Sequence, residues 1–319
     1  MSLTPERLED LRGRINARLG GLYTEGPSLL VEPVRYALAG AGKRLRPILT
    51  LLTAEACGGG EEAALPAAVS VELLHNFTLV HDDIMDRDHT RHGQASVHTK
   101  WDDGVALLAG DAMLVLALAE LHKSPRHVEA LASSFTAGAL AVCEGQALDK
   151  EFESHPQVSL DEYNHMIDLK TGSMLGLATE MGAIAAGADP ERVEQAKKFG
   201  QLLGRAFQIQ DDLLEIYSDT DKMGKSLGSD ILAEKKTYLM VLALDQFPDE
   251  LAGAVERART DLETGLQALR GIFERNGLKL RAEETVQSTI SQARERLKSL
   301  GPGSQVLADF ADLVLARDR

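Results

Sequence analysis

Of the 319 residues only 4% are aromatic, two are cysteine and ten are proline. With so few rings, a core must be packed from aliphatic side chains and alanine, and the 44% hydrophobic content is enough to build a sizeable one. Two cysteines, Cys57 and Cys143, make no disulfide framework, so a reduced, cytoplasmic setting is expected. Basic residues are also in deficit, with 34 Lys and Arg against 49 Asp and Glu, a formal charge of −15 and a pI near 5.1. That balance argues against a nucleic-acid partner, because a phosphate backbone demands the opposite sign. A small anionic ligand stays possible where basic residues are local and metal ions bridge the rest. No run approaches eighteen unbroken apolar residues, so no membrane span is expected. The opening "MSLTPERLED" has no apolar core and carries acids early, unlike a signal peptide.

What is present reads as helix nearly throughout. Ala, Leu, Glu, Lys and Arg dominate, and the prolines fall mostly between apolar-periodic segments. "PERLEDLRGRINARLGGLY" is amphipathic and ends at Gly20-Gly21, while "RPILTLLTAEACGGG" starts near Pro47 and stops at three glycines. "EEAALPAAVSVELLHNFTLVHDDIMD" is long and mostly apolar, which predicts a helix buried on several faces. Further helices are expected around 105–122, 127–153, 160–186 and 190–217, with about four shorter ones from 234 to 317. Alternating β patterns, solenoid repeats and linkers are almost absent, so the economical reading is one all-α domain spanning 1–319.

Two acidic clusters echo one another. "DDIMD" at 82–86 and "DDLLE" at 211–215 each end an apolar helix, and each precedes basic residues and glycines. Asp82 and Asp86 are four apart and so share a helix face, where like charges cost a few tenths of a kcal/mol. A solvated surface tolerates that, but the preceding "ELLHNFTLV" is too apolar for one. Two carboxylate turns facing one cavity would suit a hard cation with oxygen ligands, Mg²⁺, which completes its shell with water and substrate phosphates. A phosphate-bearing ligand is therefore expected.

The cations point the same way. "GKRLRP" places Lys43, Arg44 and Arg46 at the mouth of an apolar helix, whose N-terminus also favours an anion; an ordinary basic loop would read alike. "LKTGSMLG" sets Lys170 and Thr171 before small residues, and "MGKSLGSD" and "EKKT" add Lys225 and Lys235. None fits a Walker motif or follows a strand, so a P-loop NTPase is excluded.

"GKRLRP", "HDDIMD…RHG", "GQALD", "KTGSML", "AFQIQDDLLE" and "GKSLGSD…KKT" stand in the order and spacing of the trans-isoprenyl diphosphate synthases, which the chain resembles over roughly residues 35–240. The resemblance implies an all-α isoprenoid-synthase fold, a helical bundle around a central cavity, and a homodimer. It implies head-to-tail prenyl transfer with three Mg²⁺ per site. Asp82, Asp86 and Asp211 would bind metal, with Asp212 and Glu215 as outer or water-mediated support. Arg91, Lys170, Lys225 and Lys235 would neutralise the allylic diphosphate. Lys43, Arg46 and His75, with His92, would hold isopentenyl diphosphate. Thr171 and Gln208, beside the catalytic Lys170 and Lys225, would line the place where positive charge develops. His81, His89 and His98 are expected to be packing or surface residues.

The growing chain must run into an apolar tunnel beside the first acidic helix. Steps of four back from Asp82 reach Thr78 and Leu74, and Phe77 borders that stripe. The resemblance implies that bulk four and five residues before the motif sets product length. Phe77 with the smaller Thr78 implies a twenty-carbon product, geranylgeranyl diphosphate, with farnesyl or medium-chain synthesis as the alternative. Three positions depart from the family pattern: Ala41 for a glycine, Glu215 for an aspartate, and His92 for a second arginine, which predicts weaker, pH-dependent binding of isopentenyl diphosphate. A terpene cyclase would lack the cradle at Lys43 and Arg46, and a non-catalytic partner subunit would tend to lose the acidic motifs.

Overall fold

Local chemistry starts and stops these helices much as the punctuation suggests. In a computed structural model that describes residues 3–40, 42–217 and 235–316, α1 (Pro5–Gly20) opens with proline at its first position and with the Thr4 side chain accepting from the Arg7 N–H. It is followed by α2 (Ser28–Leu38), α3 (Leu45–Ala56) and α4 (Glu61–Met85). The one short sheet is a hairpin, β1 (Thr90–Arg91) against β2 (Gln94–Ala95), with Thr90 opposite Ala95. Its two-residue turn, His92-Gly93, has φ of 52° and 76°, the left-handed pair that a tight hairpin requires.

Then come α5 (Val97–Lys100), α6 (Asp103–Leu121), α7 (Val128–Ser154) and α8 (Leu160–Ile167). α8 carries a full capping box between Ser159 and Glu162. α9 (Ser173–Ala186) and α10 (Pro190–Tyr217) follow. The expected continuous helix over 160–186 is broken by a π-helical turn, Asp168–Gly172, joining α8 to α9. Beyond it lie α11 (Tyr238–Gln246), α12 (Pro248–Thr260), α13 (Leu262–Arg275), α14 (Leu278–Leu297) and α15 (Gln305–Leu315). The all-α class is as expected. α2 has no counterpart in the sequence reading, since Pro27 and Pro33 bracket and interrupt it.

The residues cluster into two compact units. One comprises Met1–Ala139, Met174–Gly200 and Arg296–Phe310, and the other Leu140–Ser173, Gln201–Glu295 and Ala311–Arg319. In the first, α3 is buried along almost its whole length, and α4 buries residues on several faces, Ala67, Val71, Leu73 and Leu74 among them. α9 reaches α3 closely because Gly182 has no Cβ to strike the Thr50 carbonyl. In the second, Tyr163, Leu213, Tyr238, Leu266, Leu269 and Phe273 form the core. By length and composition alone α4 and α6 could each cross a membrane, but 67% of the α4 stretch is buried within the protein.

Candidate active site

With 3.6 residues per turn, Glu72, His75, Asn76 and Asp83 fall on one stripe of α4, and Leu74, Thr78 and His81 on the far side. Asp82 borders the first stripe in the last turn, and Asp86 lies at the C-cap. Carboxylates there face the negative end of the helix dipole, an unfavourable placement of about 0.3–1 kcal/mol each that a bound cation reverses. Two arginines at the start of α3 pair with residues of the first stripe. Arg44, buried at the N-cap of α3, donates to Glu72 at 2.7 Å and to Asn16 at 2.9 Å. Asn76 Nδ2 reaches the same Glu72 carboxylate at 3.1 Å. Arg44 is thus a structural brace. Arg46 donates to His75 Nε2 at 3.0 Å, which places the imidazole proton on Nδ1. Burial, then Arg46, Arg91, His92 and Arg44, hold the His75 pKa well below the ordinary histidine value, so His75 is a neutral acceptor. Lys43 is exposed beside them.

The hairpin carries the next pair. Arg91 donates from Nε to Asp83 at 2.8 Å, makes a second bond to the same oxygen through Nη2, and reaches Asp88 at 3.2 Å. Asp83 is almost completely buried. The Arg91 guanidinium thus holds the hairpin to the end of α4. His92, at the exposed tip, has its pKa lowered by desolvation first and then by Arg91 and Arg44, with Glu72 opposing. Of the proposed chain-length residues, Leu74 is fully buried, and Thr78 returns its hydroxyl to the His75 carbonyl at 2.8 Å. The Phe77 ring lies 4.7 Å from that of His81, tilted by 60°.

In the other unit the π turn presents Lys170 and Thr171. Such turns insert a residue into an α-helix and are frequent at functional sites. Asp168 anchors it through two bonds from Arg205, one of 2.7 Å and one through Nη2. Gly145 lets α7 pass against the Lys170 backbone, where a Cβ would overlap it, and Lys170 Nζ meets Asp149 at 2.5 Å. Gly204 does the same for α10, with a Cβ there only 2.7 Å from the Gly172 Cα. Thr171 Oγ1 then donates to Gln208 Oε1 at 2.8 Å, and Gln208 Nε2 donates to Asp212 at 3.0 Å. A carboxylate only accepts, which assigns the Gln208 amide orientation and commits the Thr171 hydroxyl proton to Gln208.

Asp212, expected as outer or water-mediated support, is held by protein donors on both oxygens. It is 6% exposed. One oxygen accepts from Tyr163 OH at 2.5 Å and from the Tyr238 N–H at 2.7 Å, while Gln208 occupies the other. It clamps the start of α11 to α10. Burial and the adjacent Asp212 push the Tyr163 pKa well above that of a free phenol, so it stays a donor. Asp211 and Glu215 lie in the last two turns of α10, and Lys235 just precedes α11. Lys225 and Ala41 lie outside the described residues. Asp149, Tyr163, Glu72 and Asp83 were not singled out from the sequence; the i,i+4 pair Gly145/Asp149 inside "GQALD" was the available signal for the first.

Comparison with known proteins shows the family. The sequence pattern of the polyprenyl synthetase family matches residues 27–270. A short chain isoprenyl diphosphate synthase of Methanothermobacter thermautotrophicus is 37% identical over 92% of this chain and 91% of its own length. A geranylgeranyl diphosphate synthase of Methanosarcina mazei is 35% identical, with the same coverage of both. The crystal structure of geranylgeranyl pyrophosphate synthetase from Pyrococcus horikoshii superposes with a TM-score of 0.90 at 32% identity, covering 98% of each chain. These are all-α prenyltransferases. The chain belongs to the polyprenyl synthetase family.

Proposed function

We propose that the protein makes geranylgeranyl diphosphate by condensing isopentenyl diphosphate with an allylic diphosphate, head to tail. The observation that carries the product length is the side chain five residues before Asp82: one phenylalanine on α4 with threonine, not a second ring, beside it. Relatives named geranylgeranyl diphosphate synthase support it.

The donor set fits Mg²⁺. Asp82 and Asp86 offer hard carboxylate oxygens at a helix end, too few to cage an ion, so water and diphosphate oxygens must complete the shell. The family resemblance adds Asp211, with Glu215 in support, to the metal ligands, and three ions per site is our reading. Bound there with substrate, Mg²⁺ supplies Lewis acidity that stabilises the departing diphosphate.

This chain's own groups do the rest. Arg46, aimed by neutral His75, and Lys43 hold isopentenyl diphosphate. Lys170, kept in place by Asp149, balances the allylic diphosphate, with Lys225 and Lys235 as further cations. When the allylic C1–O bond breaks, the leaving diphosphate keeps the electron pair. The isopentenyl double bond attacks the allylic cation, and the proton lost from the new bond's neighbour goes to that diphosphate. The lone pairs of Thr171, oriented by Gln208 and Asp212, face the developing positive charge with no reorganisation at the moment of reaction.

We read residues 1–319 as one catalytic domain, because the boundaries between the two units fall at or inside helices. The apolar residues Leu107, Leu108, Val115 (65% exposed) and Leu118 recur along one face of α6 and support a homodimer; the low cysteine content supports a cytoplasmic setting. Incubating the protein with Mg²⁺, labelled isopentenyl diphosphate and each of dimethylallyl, geranyl and farnesyl diphosphate tests the reading. Chromatography should show a twenty-carbon terminal product. A fifteen-carbon or a longer terminal product overturns the chain-length reading, and no product at all overturns the activity.

A further inference from the structure

His81 is expected from the sequence to be a packing or surface residue, and the proposed chemistry gives it no role. Its surroundings are specific. The ring sits where α4 crosses α6, in the gap left by Gly110: a Cβ at 110 would overlap Nε2 and Cδ2. Nε2 lies 3.2 Å from the Leu107 carbonyl oxygen. A carbonyl only accepts, so Nε2 carries the proton. Asp111, exposed one residue beyond the gap, comes to 3.9 Å of the same nitrogen. The imidazole also meets the Phe77 ring, one helical turn back on α4, with centroids 4.7 Å apart.

We propose that His81 and Gly110 are specificity-determining positioning residues: the glycine gap seats the imidazole, and the imidazole is the wall against which the Phe77 ring is held. This rests on the reading that Phe77 closes the product tunnel. A phenylalanine ring at an open position samples several rotamers, and a floor that moves by one rotamer gives mixed products. The i,i+4 spacing brings the two rings together on the helix. The hydrogen bond to Leu107 and the missing Cβ at 110 then fix the imidazole from the α6 side. The floor is thus set by two helices, although its blocking atoms come from one.

Product-length distributions of four variants test this, read as chain length per product formed and therefore independent of total rate. His81→Ala frees space behind Phe77 and should shift the terminal product beyond twenty carbons. Phe77→Ala should lengthen it too, and the double variant should match Phe77→Ala alone, because His81 acts only through the ring. Gly110→Ala, which keeps His81 but displaces the imidazole from its seat, should change the product-length distribution and covers the case in which His81→Ala does not fold. Wild-type length in both His81→Ala and Gly110→Ala, while Phe77→Ala lengthens, overturns the positioning role and leaves the tunnel floor standing. Unchanged length in Phe77→Ala removes the floor itself, and with it the role assigned to His81.

Discussion

Replacing His92 by arginine asks how much second-substrate affinity this chain has given up. The backbone accepts the change: position 92 has φ of 52°, and Arg44 and Arg87 already sit in the same region at 53° and 55°. A neutral imidazole offers a diphosphate one hydrogen bond, worth about 1 kcal/mol net. A guanidinium offers two parallel charge-assisted bonds, together worth about 2–3 kcal/mol once the exposed position is discounted for solvent screening. The difference, about 1–2 kcal/mol, corresponds to a KM for isopentenyl diphosphate about 5- to 30-fold lower in His92→Arg. Steady-state kinetics at saturating allylic substrate and Mg²⁺ reads it, and kcat should change little.

The pH profile supplies a second readout. His92 faces Arg91 and Arg44 with Glu72 opposing, and together with desolvation they hold its pKa below the usual 6.5. A bound diphosphate favours the imidazolium, so its pKa is higher in the complex than in the free enzyme. The added affinity is then fully present below the free-enzyme pKa and is lost as pH rises through the pKa of the complex. The wild-type KM should rise with pH across that window relative to His92→Arg, a ratio from which the ionisation of the substrate cancels. Equal KM values and superimposable profiles would refute the reasoning.

Asp86→Asn removes a hard oxygen donor from the end of α4 and should cut kcat by about two to three orders of magnitude, the scale of one strong electrostatic contribution; chelation of wild type with EDTA should abolish turnover until Mg²⁺ is restored. Arg44→Ala leaves Glu72 buried without its cation and should destabilise the protein by about 3–5 kcal/mol, seen as a large fall in Tm by calorimetry, whereas pairing it with Glu72→Gln should recover part of the loss. Tyr163→Phe removes one donor to Asp212 and should cost about 1–2 kcal/mol of stability, with kcat falling more than either KM because Gln208 and Thr171 lose their anchor. Val115→Glu on the apolar face of α6 should convert a dimer to monomers in light scattering, and an unchanged mass would place the interface elsewhere.

Which parts of this were readable beforehand follows from range in the chain. Helices depend on neighbours three and four apart, so α1, α3 and α4 were legible from apolar spacing and from Gly20-Gly21, Pro47 and the glycines at 58–60. The first carboxylate pair was legible for the same reason, since Asp82 and Asp86 are one turn apart. The partners of the cations were not. Arg44 meets Glu72 across 28 residues and Lys170 meets Asp149 across 21, distances at which sequence spacing carries no register. Asp211 and Asp212 look alike in a motif, yet one turn of 100° separates them, and that rotation buries Asp212 against Tyr163. The π turn was invisible because "DLKTG" carries no local signature that tells a π turn from an α-helix; what holds it is Arg205 and the close approach of Gly145 and Gly204.

That turn also dictates how the segment can be edited. A π turn is an α-helix holding one residue too many, so the side chains of α8 and those of α9 follow two different phases joined at 168–172. Removing the surplus residue would let the helix run straight with α8 and α9 still in phase in space, but the wide turn itself would be gone. Lys170 and Thr171 would then lose the positions that bring them to Asp149 and Gln208. An alignment that closes this one-residue gap to gain identity would mispair the same positions. The surplus residue is therefore a fixed part of the reading frame in space, and insertions or deletions between Tyr163 and Gly182 should be far less tolerated than substitutions.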